Sequence, residues 1–273
     1  MKNGMGRRRI AAFCLILIAL LAVVFFVKCT ADKTEESQLT VGCGDDLAGV
    51  LFSTLIENTG NHIVDFSGVD FVGLGDCCGS NAQFALSTGD IDVAFLCPDA
   101  AADILSSGEY VDYGAVIYDG NVLVTRPDSP KQPSIIGYMN QRDEQLALLG
   151  ETYDTDCVEL QPMFPSGLPY ALENKAVDAI VLDALAALRL RYPVQPLSDG
   201  VVTTSLIVKK ELTEDERLME LIHQYEIFID SLSDDDMLGK LLCRYLETDS
   251  QEEVLDYWKT MNVQFGSLTT ATK

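Results

Sequence analysis

The run Gly42-Cys43-Gly44-Asp45-Asp46 gathers a thiol, two carboxylates and two glycines within five residues. Glycines there let a backbone approach a ligand closely, or simply permit a tight turn. If Asp45 and Asp46 face a cleft they favour an ammonium or other cation; otherwise they open a helix and complement its dipole. Further short polar runs follow: Asp76 to Asn81, Cys97-Pro98-Asp99, Tyr138 to Arg142, and Phe164 to Gly167. Asp183 closes an apolar stretch. Ser166-Gly167 offers a hydroxyl and free N–H groups at a helix start, suited to a carboxylate, sulfonate or phosphate oxygen, or to an ordinary N-cap. Arg142 could pair with an anion, but Asp143 and Glu144 beside it read as a solvated helix start.

Catalytic constellations fit less well. Nucleophilic catalysis needs a base beside the nucleophile. His62 falls at a strand entrance and His223 inside an amphipathic pattern, Leu218 to Ile229, so neither reaches these runs. There is no GxGxxG and no P-loop. No catalytic residue and no cofactor is expected. With no CxxC and two histidines remote from the cysteines, no metal site is expected either. Cys43 and Cys97 follow strands that should be neighbours; they read as a disulfide at a cleft floor or as small buried thiols. Cys77-Cys78, Cys157 and Cys243 leave the pairing open.

The elements that must hold these residues alternate. Strand-like Leu39 to Val41 feeds a helical pattern over Leu47 to Asn58. Apolar Ile91 to Leu96 precedes a helix over Ala100 to Leu105. Two strand-like runs flank Asp119-Gly120 between Tyr110 and Arg126. Pro127 to Pro133 reads as a linker. Beyond it come strands at Ser134 to Tyr138, Cys157 to Leu160 and Ala179 to Leu182. Each precedes a helix. Val201 to Lys209 is a return strand, and the remainder is helical. Alternation of this kind implies mainly parallel sheets covered by helices. The chain therefore divides into lobe 1, residues 38–126 plus 201–273, and lobe 2, residues 127–200. The C-terminal helices should pack back on lobe 1.

Residues 1–28 read as a signal or anchor. Arg7, Arg8 and Arg9 precede the uncharged run Ile10 to Val27, and residues 29–37 form a polar tether. Cys29 is a possible lipidation site, although Lys28 before it departs from the small residue such signals carry; an uncleaved helix anchor is the alternative. The arginines stay inside and the body faces outward. Five of the 19 basic residues precede Cys29, and all 42 acidic residues follow it. So acidic a body excludes nucleic-acid binding by phosphate neutralisation. Its acidity serves solubility or a preference for a cationic or neutral ligand.

Leu86-Ser87-Thr88-Gly89-Asp90-Ile91-Asp92-Val93-Ala94 and Leu172-Glu173-Asn174-Lys175-Ala176-Val177-Asp178-Ala179-Ile180 share one form: helix end, turn, then a strand opening hydrophobe-Asp. In these runs the chain resembles the type II periplasmic-binding-protein fold, in particular substrate-binding components of ABC transporters of the sulfonate, nitrate and thiamine-precursor group. The resemblance covers roughly residues 38 to 260. It implies an α/β, two-lobed solute-binding protein at the extracytoplasmic face of the membrane, with an ABC permease and its ATPase as partners; a membrane-anchored ligand-sensing domain, or a cysteine-dependent enzyme on the same scaffold, is the alternative. Asp92 and Asp178 are expected to staple turns. The ligand is expected beyond the carboxyl ends of the strands. The candidate ligand residues are Cys43, Gly44, Asp45, Asp46, Asp76, Ser80, Asn81, Cys97, Asp99, Tyr138, Asn140, Ser166, Gly167 and Asp183.

Overall fold

The computed structural model describes residues 38–59, 66, 68–75 and 80–268; the side chains of residues 57–59 and 80 are not included. The apolar run Ile10 to Val27 and Cys29, Asp76, Cys77 and Cys78 lie outside the described residues. No described helix is long and apolar enough to cross a membrane.

Two sheets form the body. The first contains β1 (Leu39–Cys43), β2 (Val69–Gly73), β3 (Val93–Leu96), β4 (Tyr110–Tyr118), β10 (Val202–Lys209) and β11 (Gln264–Phe265), in the order β11-β4-β10-β3-β1-β2. The second contains β5 (Asn121–Thr125), β6 (Ile135–Met139), β7 (Glu159–Met163), β8 (Ala179–Asp183) and β9 (Val194–Pro196), in the order β7-β6-β8-β5-β9. β3 is buried throughout and β8 over its first four residues, as continuous apolar strands covered on both faces must be.

Each sheet has a parallel core, β2-β1-β3 and β7-β6-β8. The remaining pairs are antiparallel. The sheets are therefore mixed rather than mainly parallel, because β5 and β10 run against the strands they join.

The expected linker at Pro127 to Pro133 is corrected by β5. This strand belongs to the second sheet, pairing with β8 from Asn121↔Asp183 to Thr125↔Ala179. The chain crosses between sheets at Asp119-Gly120 and returns between β9 and β10. Arg126 holds the segment after β5 to the second sheet: its Nη1 donates to the carbonyls of Leu172 and Val177 at 2.6 and 2.9 Å.

The two crossings are fastened together. Asp119 is buried and left-handed, φ 56°. Its carboxylate accepts hydrogen bonds from Ser198 Oγ at 2.6 Å, Gly200 N at 2.8 Å and Val201 N at 3.0 Å. Gly120 N donates to Thr203 Oγ1 at 3.0 Å, and a Cβ at Gly120 would sit 2.7 Å from that oxygen. Glycine is required there by close approach.

The repeated aspartates sit at equivalent places. Asp92 accepts from Thr40 N and Oγ1, both at 3.1 Å, tying the start of β3 to β1. Asp178 accepts from Ser134 N and Oγ, both at 2.8 Å, tying the start of β8 to β6.

Helices α1 (Leu47–Thr59), α2 (Ser80–Thr88) and α3 (Pro98–Leu105) belong to the first half. Helices α4 (Asp143–Thr152), α5 (Gly167–Glu173) and α6 (Ala184–Leu190) belong to the second. The C-terminal helices are α7 (Glu216–Ser231), α8 (Asp235–Leu246) and α9 (Gln251–Lys259). α7 buries Leu218, Leu221, Ile222, Tyr225 and Phe228, one stripe at helical spacing. Tyr225 stacks on Phe52 of α1, ring centroids 4.8 Å apart. α9 instead reaches the second half, where Tyr257 Oη donates to the carbonyls of Tyr192 at 2.5 Å and Ala187 at 3.3 Å. The C-terminal helices thus pack on both halves, not on the first alone.

Candidate functional site

A cavity lies between the sheets at the carboxyl ends of β1, β3, β6 and β8. Gly44, Asp46, Phe95 and Cys97 line it from the first half. Met139, Arg142 and Asp183 line it from the second, with Gly120, Asn121, Thr203 and Thr204 of the crossings beside them. The cavity volume is about 30 Å³. The halves are drawn close together.

Asp46 is positioned by the turn from β1 into α1. Its Oδ1 accepts from Gly49 N at 2.9 Å. A Cβ at Gly49 would lie 1.8 Å from the Gly44 carbonyl oxygen, so only glycine lets α1 start this close to the loop. Burial raises the Asp46 carboxyl above its usual range, against the pull of the Gly49 N–H and the Arg142 charge.

Asp183 ends β8 and caps α6, with Oδ1 accepting from Leu185 N at 2.8 Å. Burial, then the charge of Asp46, pushes it up to about 7. Both aspartates therefore accept from N–H groups at a helix start and also line the cavity.

Arg142 sits at the N-cap of α4 without a capping bond from its side chain. A cation there opposes the helix dipole, so local stability does not account for it. The turn that sets it includes Gln141 at φ 61°. Buried Gln145 bolts α4 down: its Nε2 donates to Asn121 Oδ1 at 2.9 Å, and its Oε1 accepts from Met139 N at 3.0 Å. The Arg142 guanidinium makes no ion pair or side-chain hydrogen bond among the described residues. Its charge is nonetheless felt at Asp46, Cys97, Asp99, Glu144 and Asp183.

Asp99, in the first turn of α3, and Glu144, in the first turn of α4, meet across the two halves. Glu144 N donates weakly to Asp99 Oδ1 at 3.4 Å. Asp99 Oδ2 and both Glu144 carboxylate oxygens are buried without a hydrogen-bond partner. Burial, followed by the Asp99 charge opposing Arg142, pushes Glu144 up to about 7.

Of the candidate ligand residues, Gly44, Asp46, Cys97 and Asp183 come together in the cavity lining. Asp99 stands beside it at the contact between halves. Asp45 and Asn140 are exposed, and Tyr138 packs in the core of the second half. Asn81 is exposed and donates to the Gly75 carbonyl at 2.8 Å. Ser166 is exposed and its side chain accepts no capping hydrogen bond, and neither it nor Gly167 lines the cavity. Ser80 begins α2. Cys43 packs against the core. Burial, then Asp46, pushes its thiol up to about 12. Cys43, Cys97, Cys157 and Cys243 are free thiols, so the bond considered between Cys43 and Cys97 is not formed. Among the described residues no three histidine, cysteine or acidic side chains converge as a metal site.

Sequence reasoning undervalued Arg142 and missed the crossing residues Gly120, Asn121, Thr203 and Thr204. A cation at a helix start was the available signal for the first. The second group carries no local signal, because strands distant in sequence bring it together.

No family model and no curated protein matches the sequence. The fold does match solved structures. One is an ABC transporter protein from Parabacteroides distasonis, 16% identical, covering 86% of this chain and 88% of that one with a TM-score of 0.64. Another is a ligand-binding component of an ABC-type import system from Staphylococcus aureus with zinc bound, 13% identical over 85% and 86% of the two chains, TM-score 0.63. A third is the periplasmic aliphatic sulphonate binding protein SsuA from Escherichia coli, 15% identical over 84% and 86%, TM-score 0.61. With two mixed sheets, a double crossing and a cavity at their strand ends, residues 39–268 have the fold of the solute-binding components of ABC import systems.

Proposed function

We propose that the chain is an extracytoplasmic solute-binding protein, tethered through its N-terminus, that captures a small molecule between its two halves for ABC-type import. The observation that carries this reading is the cavity itself, lined from both sheets with the crossings beside it. A solute that touches both halves stabilises the closed arrangement by contacts it cannot make in an open one. The fastened crossings at Asp119 and Gly200 then act as the hinge, and a permease with its ATPase receives the closed form. The run Ile10 to Val27, or a lipid on Cys29, supplies the tether.

A cysteine-dependent enzyme is disfavoured by the same geometry. A thiol held near 12, as Cys43 is, lacks the thiolate that nucleophilic catalysis uses. The exposed His223 on α7 is no partner for it.

The test is a thermal-shift screen of the full chain in detergent, read through its only tryptophan, the buried Trp258. Sulfonates, amino acids, polyamines and pyrimidines form the panel. A saturable rise in Tm without turnover is the expected result. Turnover of a bound solute, or no response to any class, counts against the reading.

A further inference from the structure

We infer that the captured solute carries a protonated amine together with an acid group, as an amino acid does; this rests on the solute-binding reading above. Three charged side chains line the cavity, and they come from both halves: Asp46 from the first, Arg142 and Asp183 from the second. None of the three is paired with another. Asp46 and Asp183 each give one carboxylate oxygen to a helix N–H, at 2.9 and 2.8 Å. The N–H of Ala186 also supports Asp183, and Asp46 is supported by its own N–H; neither carboxylate has a side-chain hydrogen bond or ion pair among the described residues. Arg142 has no ion pair and no side-chain hydrogen bond among the described residues.

An arginine that merely neutralised the carboxylates would be expected to contact one of them, since a bidentate pair is the favoured geometry of guanidinium and carboxylate. Here it stands off from both, at a helix start where its charge is unfavourable. A solute acid group fills the vacant guanidinium edge. A solute ammonium, with three donors to share, fits between the two carboxylates, neither of which has a side-chain partner among the described residues. An acid without an amine leaves two carboxylates buried and uncompensated. An amine without an acid leaves the guanidinium so. Either omission is costly in a site that excludes water. A metal ion is not favoured, because among the described residues no third histidine, cysteine or acidic donor converges with the aspartates.

The substitutions that test this preserve the fold by design. Asn still accepts the Gly49 and Leu185 N–H bonds, so Asp46→Asn and Asp183→Asn remove charge and keep both caps. Arg142→Gln keeps the length of the stem. The probes are the standard L-amino acids and ornithine. Each one that binds is compared with its amine-only and acid-only counterparts. Yeast extract split on a cation exchanger at pH 2, which retains amines, is run alongside.

The expected result is a Tm rise of roughly 5–10 °C at one hundred times Kd for an amine-acid. The single-group counterparts should give none. Each aspartate substitution should weaken the affinity by on the order of 30-fold or more, and so should Arg142→Gln. If alkanesulfonates, alkanoates or the unretained extract raise Tm as well, and Asp46→Asn does not weaken them, the inference is overturned while solute binding stands. If no compound and no extract fraction shifts Tm, both fall.

Discussion

Asp183 and Glu144 make the chemistry of the cleft visible to a pH titration. Both carboxyls are pushed up to about 7, from 3.8 and 4.5 respectively. Between those values the folded chain holds protons that the unfolded chain has lost, so stability falls as pH rises from about 4 to about 7. Asp183→Asn keeps the α6 cap and abolishes its share of that fall. At pH 8 this variant should be more stable than the unaltered protein by on the order of 1–3 kcal/mol, seen as a higher unfolding temperature, and the difference should shrink at pH 4. Glu144→Gln should act in the same direction. Thermal unfolding across pH 4 to 8 checks both; a variant less stable than the parent at pH 8 would show that the buried charge is compensated. Gly49→Ala runs against ordinary helix propensity, which favours alanine by about 1 kcal/mol. With a Cβ 1.8 Å from the Gly44 oxygen, it should instead destabilise by about 1–3 kcal/mol. A neutral result in urea unfolding would mean that the β1–α1 turn adapts freely.

Among the elements, the crossings deserve the closest mutational test. Asp119 satisfies a hydroxyl and two backbone N–H groups from a segment some eighty residues away. Asp119→Ala strands them and should cost about 2–4 kcal/mol, a loss that a lower urea midpoint would report. An unchanged midpoint would mean the return strand is held without it. Asp92 and Asp178 are local counterparts of this fastening, and their role was legible beforehand. A buried parallel strand needs an acceptor for the N–H groups at its neighbour's start, and hydrophobe-Asp-small supplies one at a fixed offset. The place of the crossing was not legible. Pro127 to Pro133 breaks the local pattern, whereas the pairing of β5 with β8 joins residues about sixty positions apart and leaves no local mark. Ser166 misled for a related reason: it precedes α5, but its side chain makes no cap and α5 starts on the exposed surface.

For the whole molecule, alternation of strands and helices was enough to foresee two sheets, with a cavity at their strand ends. It could not say that the sheets would be mixed, or that α9 would pack on the second half through Tyr257. Nor did it single out Arg142, whose importance depends on what faces it from the other sheet. The central claim is that one solute is held by both halves at once. Hydrogen exchange of the full chain, with and without the amino acid giving the largest Tm rise in the screen, tests it most directly. The account expects slower exchange in residues 43–49 of the first half and in 139–146 and 183–187 of the second, with the same solute dependence, and little change in the exposed helices. Protection confined to one half, or centred away from these strand ends, would contradict it.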